Sequence, residues 1–206
     1  RPPPGWDCPT CWWFANGGGN DYEPGGFLNA TFHDYSAWAA LPSANGTYTA
    51  STAGEFAGYT TSVIANKSLL WVRRVAALGQ PFFLTVASKA PHAPFTPAPW
   101  YASGTYIDQL SAPRTPPYNA SHADLASFHE LVAGQIPISA ACERDIDANF
   151  RNRLRSLLSV DDAIGALASL LDELGLWRQT YFIVTSDHGY NLGQHRLPFG
   201  KHQPCA

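Results

Sequence analysis

Twice along this 206-residue chain a helical pattern ends at a glycine and gives way to a short, unbroken apolar run. The first helical pattern covers Glu55 to Leu78, with Ile64, Trp71, Val75 and Leu78 at helical spacing and Gly79 and Pro81 as stop signals. The run Pro81 to Ala87 (PFFLTVA) follows it. The second pattern covers Asp145 to Leu174, with Leu154, Leu157, Leu158, Asp161, Ile164, Leu167, Leu171 and Leu174 along one side, and Gly175 stands where a C-terminal cap belongs. Thr180 to Thr185 (TYFIVT) comes next. Runs apolar on both faces suit buried strands of a parallel sheet, so the repeated helix-then-strand order predicts an α/β domain with a mostly parallel sheet flanked by helices. In such sheets ligands sit beyond the carboxyl ends of the strands. The segments at those ends are SKAPHAP and SDHGYNLGQH.

The chain length fits one ordinary domain with a core of its own. Residues 1 to about 55 carry Gly17, Gly18, Gly19, Gly25, Gly26 and four tryptophans without sustained periodicity, which predicts a loop-rich region with short strands. Trp6, Trp12, Trp13 and Trp38 suit either a sugar-stacking wall or core packing. Charged residues make up only 14 %, the formal net charge is −3 and no Lys/Arg-rich run occurs, which argues against nucleic acid or an anionic membrane surface as partner. No apolar stretch reaches the length of a membrane span.

Four N-x-S/T sequons, at Asn29, Asn45, Asn66 and Asn119, point to a glycoprotein of the secretory pathway. The chain begins at Arg1 and has no methionine, so it is expected to be processed or to belong to something longer. Its cysteines, Cys8, Cys11, Cys142 and Cys205, allow three pairings in an oxidising compartment. Cys8 and Cys11 lack the second C-x-x-C or βαβ context of a zinc or redox site, so a structural disulfide or free thiols is the expectation.

The densest chemistry lies in TSDHGYNLGQHRLPFGKH, residues 185–202. Asp187 and His188 can both reach one metal if the backbone turns sharply, and Gly189 supplies the freedom to turn. Equally, Asp187 could cap a turn and His188 sit at the surface. Lys201 could fold back to clamp an anion, although lysines are usually solvated. His92, between Pro91 and Pro94, is presented on a stiff loop suited to a proton donor. His195 and His202 are further candidates that spacing does not select, and Asp161 and Asp162 sit mid-helix, where a capping or polar role is expected.

These residues carry a resemblance. The run RSLLSVDDAIGALASLLDELGLWRQTYFIVTSDHGYNLGQHRLPFGKHQ resembles the C-terminal half of the sulfatase catalytic domain, closest to the N-acetylglucosamine-6-sulfatase branch. PPGWD, YTTSVIANKSLLWV, PFFLTVASKAPHAPFTPAPWY and NFRNRL match the same branch in order. The resemblance implies an alkaline-phosphatase-like fold present as a fragment. Residues 1–206 would be part of one catalytic domain, 1–55 its loop-rich region and 56–206 its helix-strand core, with no second domain.

It further implies a secreted or lysosomal sulfuric ester hydrolase acting on a sulfated carbohydrate of glucosamine-6-sulfate type, or on another sulfate ester. Asp187 and His188 match the second pair of metal ligands, the metal being calcium. Lys201 matches the sulfate-contacting lysine, His92 the histidine near the leaving oxygen, and His195 is a candidate for the substrate side. The family's nucleophile is a formylglycine made in C-x-P-S-R, and it works beside an Asp-Asp metal pair. Neither occurs here, CPTCWW being a different pattern, so this chain by itself is expected to bind metal poorly and turn nothing over. Another metal-dependent hydrolase of the same superfamily, such as a phosphodiesterase, or a non-catalytic glycan-binding glycoprotein are the alternatives.

Overall fold

The computed structural model describes residues 59–201 and the backbone of three short strands nearer the N-terminus. Those strands are β1 (Trp13–Gly17), β2 (Ala30–Asp34) and β3 (Thr47–Thr49). They form one antiparallel sheet in the order β1-β2-β3, with Ala15 opposite Phe32 and Phe32 opposite Tyr48. Trp6, Trp12 and Trp38 lie outside the described residues.

The chain divides into two compact units, one of Arg1–Ala102 with Ser156–Thr180, the other of Ser103–Arg155 with Tyr181–Ala206.

In the first unit, α1 (Thr60–Ala76) follows Tyr59, whose extended backbone precedes the first turn. It ends where the periodicity predicts. Leu78 and Gly79 donate to Val75 O and Ala76 O, and Gly79 takes the positive φ of 63° that glycine allows. The buried face, however, is not the apolar one. Thr60, Thr61, Ser62, Val63, Ala65, Ser68 and Val72 are buried, while Leu70 and Leu78 are exposed and Ile64, Trp71 and Val75 only half-buried. Small hydroxyl side chains let neighbouring backbone approach closely, at a cost. The Ser62 and Ser68 Oγ atoms are buried without a hydrogen-bond partner among the described residues. Tyr59 is buried against Ala98 with Tyr101 packed beside them, and its hydroxyl donates to Thr96 O at 2.9 Å.

The long helix α4 (Ala140–Glu173) has 34 residues and is about 50 Å long at the usual helical rise. It starts five residues before the predicted Asp145, because Ser139 caps it: the Cys142 N–H donates to Ser139 Oγ at 3.2 Å. Its end is a Schellman cap. Leu176 N–H reaches Leu171 O at 2.8 Å and Gly175 N–H reaches Asp172 O at 2.9 Å, with Gly175 at φ 69°. Within the first unit the buried positions of α4 are Ser156, Ser159, Ala163, Leu167, Leu170 and Leu171, a stripe offset from the predicted one, which leaves Leu157 exposed. Asp162 takes the polar role expected of it, accepting from the Tyr101 hydroxyl at 2.8 Å.

Neither predicted strand forms among the described residues. In 81–87, Phe82 packs edge-on against Trp71 with centroids 5.5 Å apart, whereas Phe83 is 74 % exposed. In 180–185, Tyr181 is 97 % and Ile183 81 % exposed. An apolar run marks a segment that profits from burial, but a strand exists only with a neighbour to share its hydrogen bonds. The mostly parallel sheet expected from the sequence is thus not among the described elements, whose one sheet is antiparallel.

In the second unit, α2 (His122–Leu125) begins with a capping box between Ser121 and Asp124, and α3 (Glu130–Ala133) follows. Ala120, Leu125 and Val132 form a small core. The N-terminal part of α4 holds the preceding loop by charge. Arg114 bonds both oxygens of Asp147 and one of Glu143, Arg155 bonds Asp108, and Arg151 donates to Leu110 O.

Candidate functional site

The segment after Thr185 turns sharply enough to bring adjacent side chains together. Asp187 Oδ2 lies 3.1 Å from His188 Nε2, and Asp187 Oδ1 accepts the His188 N–H at 3.1 Å. The Ser186 hydroxyl donates to His188 O at 2.8 Å and tightens the turn. The carboxylate is 81 % exposed and the imidazole 40 %; His188 Nδ1 lies 3.0 Å from Gly189 O, so a metal would take Nε2 in place of its contact with Asp187. A hard cation such as calcium takes about six to eight mostly oxygen ligands. The Asp187 carboxylate fits such a shell, and His188 would join it through Nε2 once that nitrogen leaves Asp187. No group of three or more His, Cys, Asp or Glu suited to a metal occurs among the described residues.

Beyond this turn the chain runs out and back to Lys201. At the base of the loop Asn191 N–H donates to Gly200 O at 2.9 Å. Asn191 is buried, and the Tyr190 ring lies 3.9 Å beneath the Arg153 guanidinium. Burial raises the Tyr190 hydroxyl above its ordinary range and lowers Arg153 below its own. Gly200 adopts φ 108°, and Lys201, half-buried, follows it directly.

At the tip of the loop, Gly193 O accepts Asn119 N–H at 2.9 Å, His195 N–H donates to Pro117 O at 2.7 Å, and Tyr118 bridges Gln194. His195 and Arg196 both adopt left-handed φ, 52° and 62°. Each such non-glycine residue costs roughly 1–2 kcal/mol and persists only where its surroundings over-determine it. Here they do. Arg196 is buried, its Nε donating to Ala120 O at 2.7 Å and its Nη1 to Gln135 O at 2.9 Å, and the His195 ring packs on Phe128 at 4.8 Å. That contact occupies one face of the ring proposed for the substrate side.

His92 belongs to the first unit. Two successive turns hold it: its N–H donates to Lys89 O at 2.9 Å and its carbonyl accepts from Phe95 N–H at 3.0 Å. Its Nδ1 lies 2.8 Å from Ala93 O, so a proton there makes Nε2 the nitrogen that exchanges protons.

Of the remaining candidates, Asn66 is half-buried on α1. Asn119, at φ 46°, accepts Ile138 N–H on Oδ1 at 2.9 Å. Asn29, Asn45, Cys8, Cys11, Cys205 and His202 lie outside the described residues. Cys142 is a free thiol raised above its ordinary range by burial. The sequence had singled out Asp187, His188 and Lys201 but not Tyr190, Asn191 or Arg196, which build the loop between them. The glycines at 193 and 200 were the visible trace of that loop.

A family model described as Sulfatase matches residues 10–205. The chain is 36 % identical over 146 residues to N-acetylglucosamine-6-sulfatase of Homo sapiens, an alignment covering 70 % of this chain and 25 % of that protein. It is 35 % identical over 151 residues to the sulfatase ppz1 of Metarhizium majus, covering 69 % and 35 %. It is 36 % identical over 149 residues to a putative extracellular sulfatase Sulf-1 homolog of Caenorhabditis elegans, covering 71 % and 20 %. The chain thus spans about a quarter of the length of the curated relatives it matches.

Proposed function

From the premise that the chain belongs to the sulfatase family, we propose that it serves the hydrolysis of sulfate esters of a sugar, of glucosamine-6-sulfate type, in a glycoprotein of the secretory pathway. The observation that carries the reading is the convergence of the Asp187 carboxylate and the His188 imidazole in the SDHG turn.

Asp187 and His188 would hold part of the shell of a calcium ion, which when bound supplies positive charge to a sulfate oxygen. The Lys201 ammonium binds the sulfate and offsets charge that gathers on it as the sulfur–oxygen bond breaks. His92, oriented by its two turns, gives a proton from Nε2 to the departing sugar oxygen, so that alcohol leaves rather than alkoxide. The nucleophile comes from a segment without a counterpart in these 206 residues, where no C-x-P-S-R occurs. Residues 81–87 and 180–185 serve as strands of a mostly parallel sheet in the complete catalytic domain, which residues 1–206 join as one part. The name N-acetylglucosamine-6-sulfatase of the human relative, and the extracellular label of the nematode one, support the substrate class and the compartment.

The test is steady-state hydrolysis by the natural full-length protein of an aryl sulfate beside an aryl phosphodiester. Turnover of the sulfate that falls about a hundredfold or more in Lys201→Ala is expected. Preference for the phosphodiester, or an unchanged rate in Lys201→Ala, would overturn the reading.

A further inference from the structure

We propose that Arg196 is a positioning residue for Lys201: it holds the 193–200 loop in its left-handed turn and so fixes the point from which the lysine side chain departs. The proposal rests on the sulfatase reading for the role of Lys201.

Arg196 is 9 % exposed, and its two described hydrogen-bond partners are the carbonyls of Ala120 and Gln135. A buried guanidinium loses its hydration, and neutral carbonyls return less than a carboxylate would. An apolar side chain would fill the same space at lower cost. What it could not do is bridge two separate stretches of backbone, which the planar fork of arginine does from one anchor.

The first of those stretches also grips the loop tip. Ala120 follows Pro117, Tyr118 and Asn119, which bond His195, bridge Gln194 and bond Gly193 respectively. Within the tip, Gly193 N–H donates to Leu197 O and Leu197 N–H to Gln194 O, both at 2.8 Å, and Leu197 is buried. The turn His195–Arg196 is the strained element of this arrangement, and the Arg196 side chain is what ties it down.

From Arg196 to Lys201 the chain has few ways to go. Leu197 is fixed, Pro198 has its φ set by its ring, and the Gly200 carbonyl accepts the Asn191 N–H. Releasing the tip would leave the Asn191–Gly200 bond alone to hold the returning leg of the loop, and with it the backbone that carries Lys201. A lysine side chain is flexible, so its reach to an anion is reproducible only if its backbone is fixed, and misplacement by about 1 Å can cost on the order of a hundredfold in rate.

The experiment uses the natural full-length protein with Arg196→Ala, Arg196→Lys, Lys201→Ala and the double variant Arg196→Ala/Lys201→Ala. It reads amide hydrogen exchange and aryl sulfate kinetics. In Arg196→Ala, exchange at Asn191, Gly193 and Leu197 should rise about tenfold or more, with the Ile146 amide of α4 unchanged. kcat should fall about tenfold with KM nearly constant. Arg196→Lys, which bonds from a single point, should recover part of both. The double variant should be no slower than Lys201→Ala, since a residue that acts through the lysine has nothing left to contribute.

Wild-type exchange in Arg196→Ala overturns the proposal, as does an additive loss in the double variant. Should Arg196→Ala not fold, Arg196→Lys decides: wild-type exchange and kcat there sink it. If Lys201→Ala keeps full activity, the sulfate-binding role of Lys201 fails, and the positioning of the loop is judged on exchange alone.

Discussion

Gly193 stands against the Tyr118 ring so closely that a Cβ on residue 193 would lie 2.2 Å from Tyr118 Cε2. The glycine also adopts φ 103°. Gly193→Ala therefore meets a steric and a conformational obstacle together. Overpacking costs about 1–3 kcal/mol and the unfavourable φ about 1–2 more. Chemical denaturation should show a loss of at least about 2 kcal/mol. The Tyr118→Ala/Gly193→Ala pair should recover part of it, because the ring is gone and the φ penalty remains.

Asp187 supplies the anionic ligand of the proposed metal pair. Asp187→Asn keeps its shape and removes its charge. Calcium affinity of the natural full-length protein, followed by isothermal titration, should weaken by at least about tenfold, because ligand charge count sets affinity for a hard cation. His188→Ala should weaken it less, since imidazole nitrogen is a poorer partner for calcium than carboxylate oxygen. An equal or larger loss in His188→Ala would argue for a softer metal.

Part of the acid sensitivity of the second unit should run through Asp108. The Arg155 guanidinium, helped by the Gly104 N–H, holds its carboxyl below the usual carboxylate range. A carboxyl depressed on folding stabilises above its unfolded pKa, and that contribution is lost as pH falls through the folded value. Wild type should therefore lead Asp108→Asn in urea stability at neutral pH. The lead should shrink below the ordinary carboxylate range, and a constant lead across that range would contradict the assignment. The Asp108 side chain keeps 38 % of its surface in water against 13 % for Arg155, so solvent around the carboxylate should keep the effect small and salt-sensitive.

Asn119 has a structural task whether or not it carries a glycan. Its left-handed φ of 46° suits asparagine, and its Oδ1 satisfies the Ile138 N–H. Asn119→Ala should cost about 1–3 kcal/mol by leaving that donor unmet. Ser121→Ala, which destroys the sequon but keeps Asn119, should cost about 1 kcal/mol through the lost α2 cap. Glycopeptide mapping of the wild type tells whether the Asn119 amide nitrogen is also modified.

What the sequence made legible is what local chemistry decides. Gly79 and Gly175 mark helix ends because glycine alone takes their backbone cheaply, and both ends lie within two or three residues of the expected positions. For Asp187 and His188 the sequence leaves a metal pair and a turn cap with a surface histidine equally open; in the fold the two side chains meet at 3.1 Å and Asp187 also accepts the His188 N–H. Periodicity misplaces the buried face of α1 and finds that of α4 only at Leu167 and Leu171, because it counts apolar residues, whereas close packing selects Thr61, Ser62, Ser156 and Ser159. The runs at 81–87 and 180–185 have strand composition, but pairing depends on a second segment that composition cannot name. The turn at His195 and Arg196 left no trace in residue type, since neither residue favours positive φ; contacts from Pro117 and to Ala120 and Gln135 impose it.

The open face of Thr180–Thr185 bears on how the chain behaves at the bench. TYFIVT is six residues of aromatic, β-branched and threonine side chains with no charge and no proline, and Tyr181, Ile183 and Val184 stand in water. That is the composition from which cross-β stacks assemble. Expressed without a covering layer, these 206 residues should precipitate through this window, and a lysine placed at Ile183 should keep them in solution.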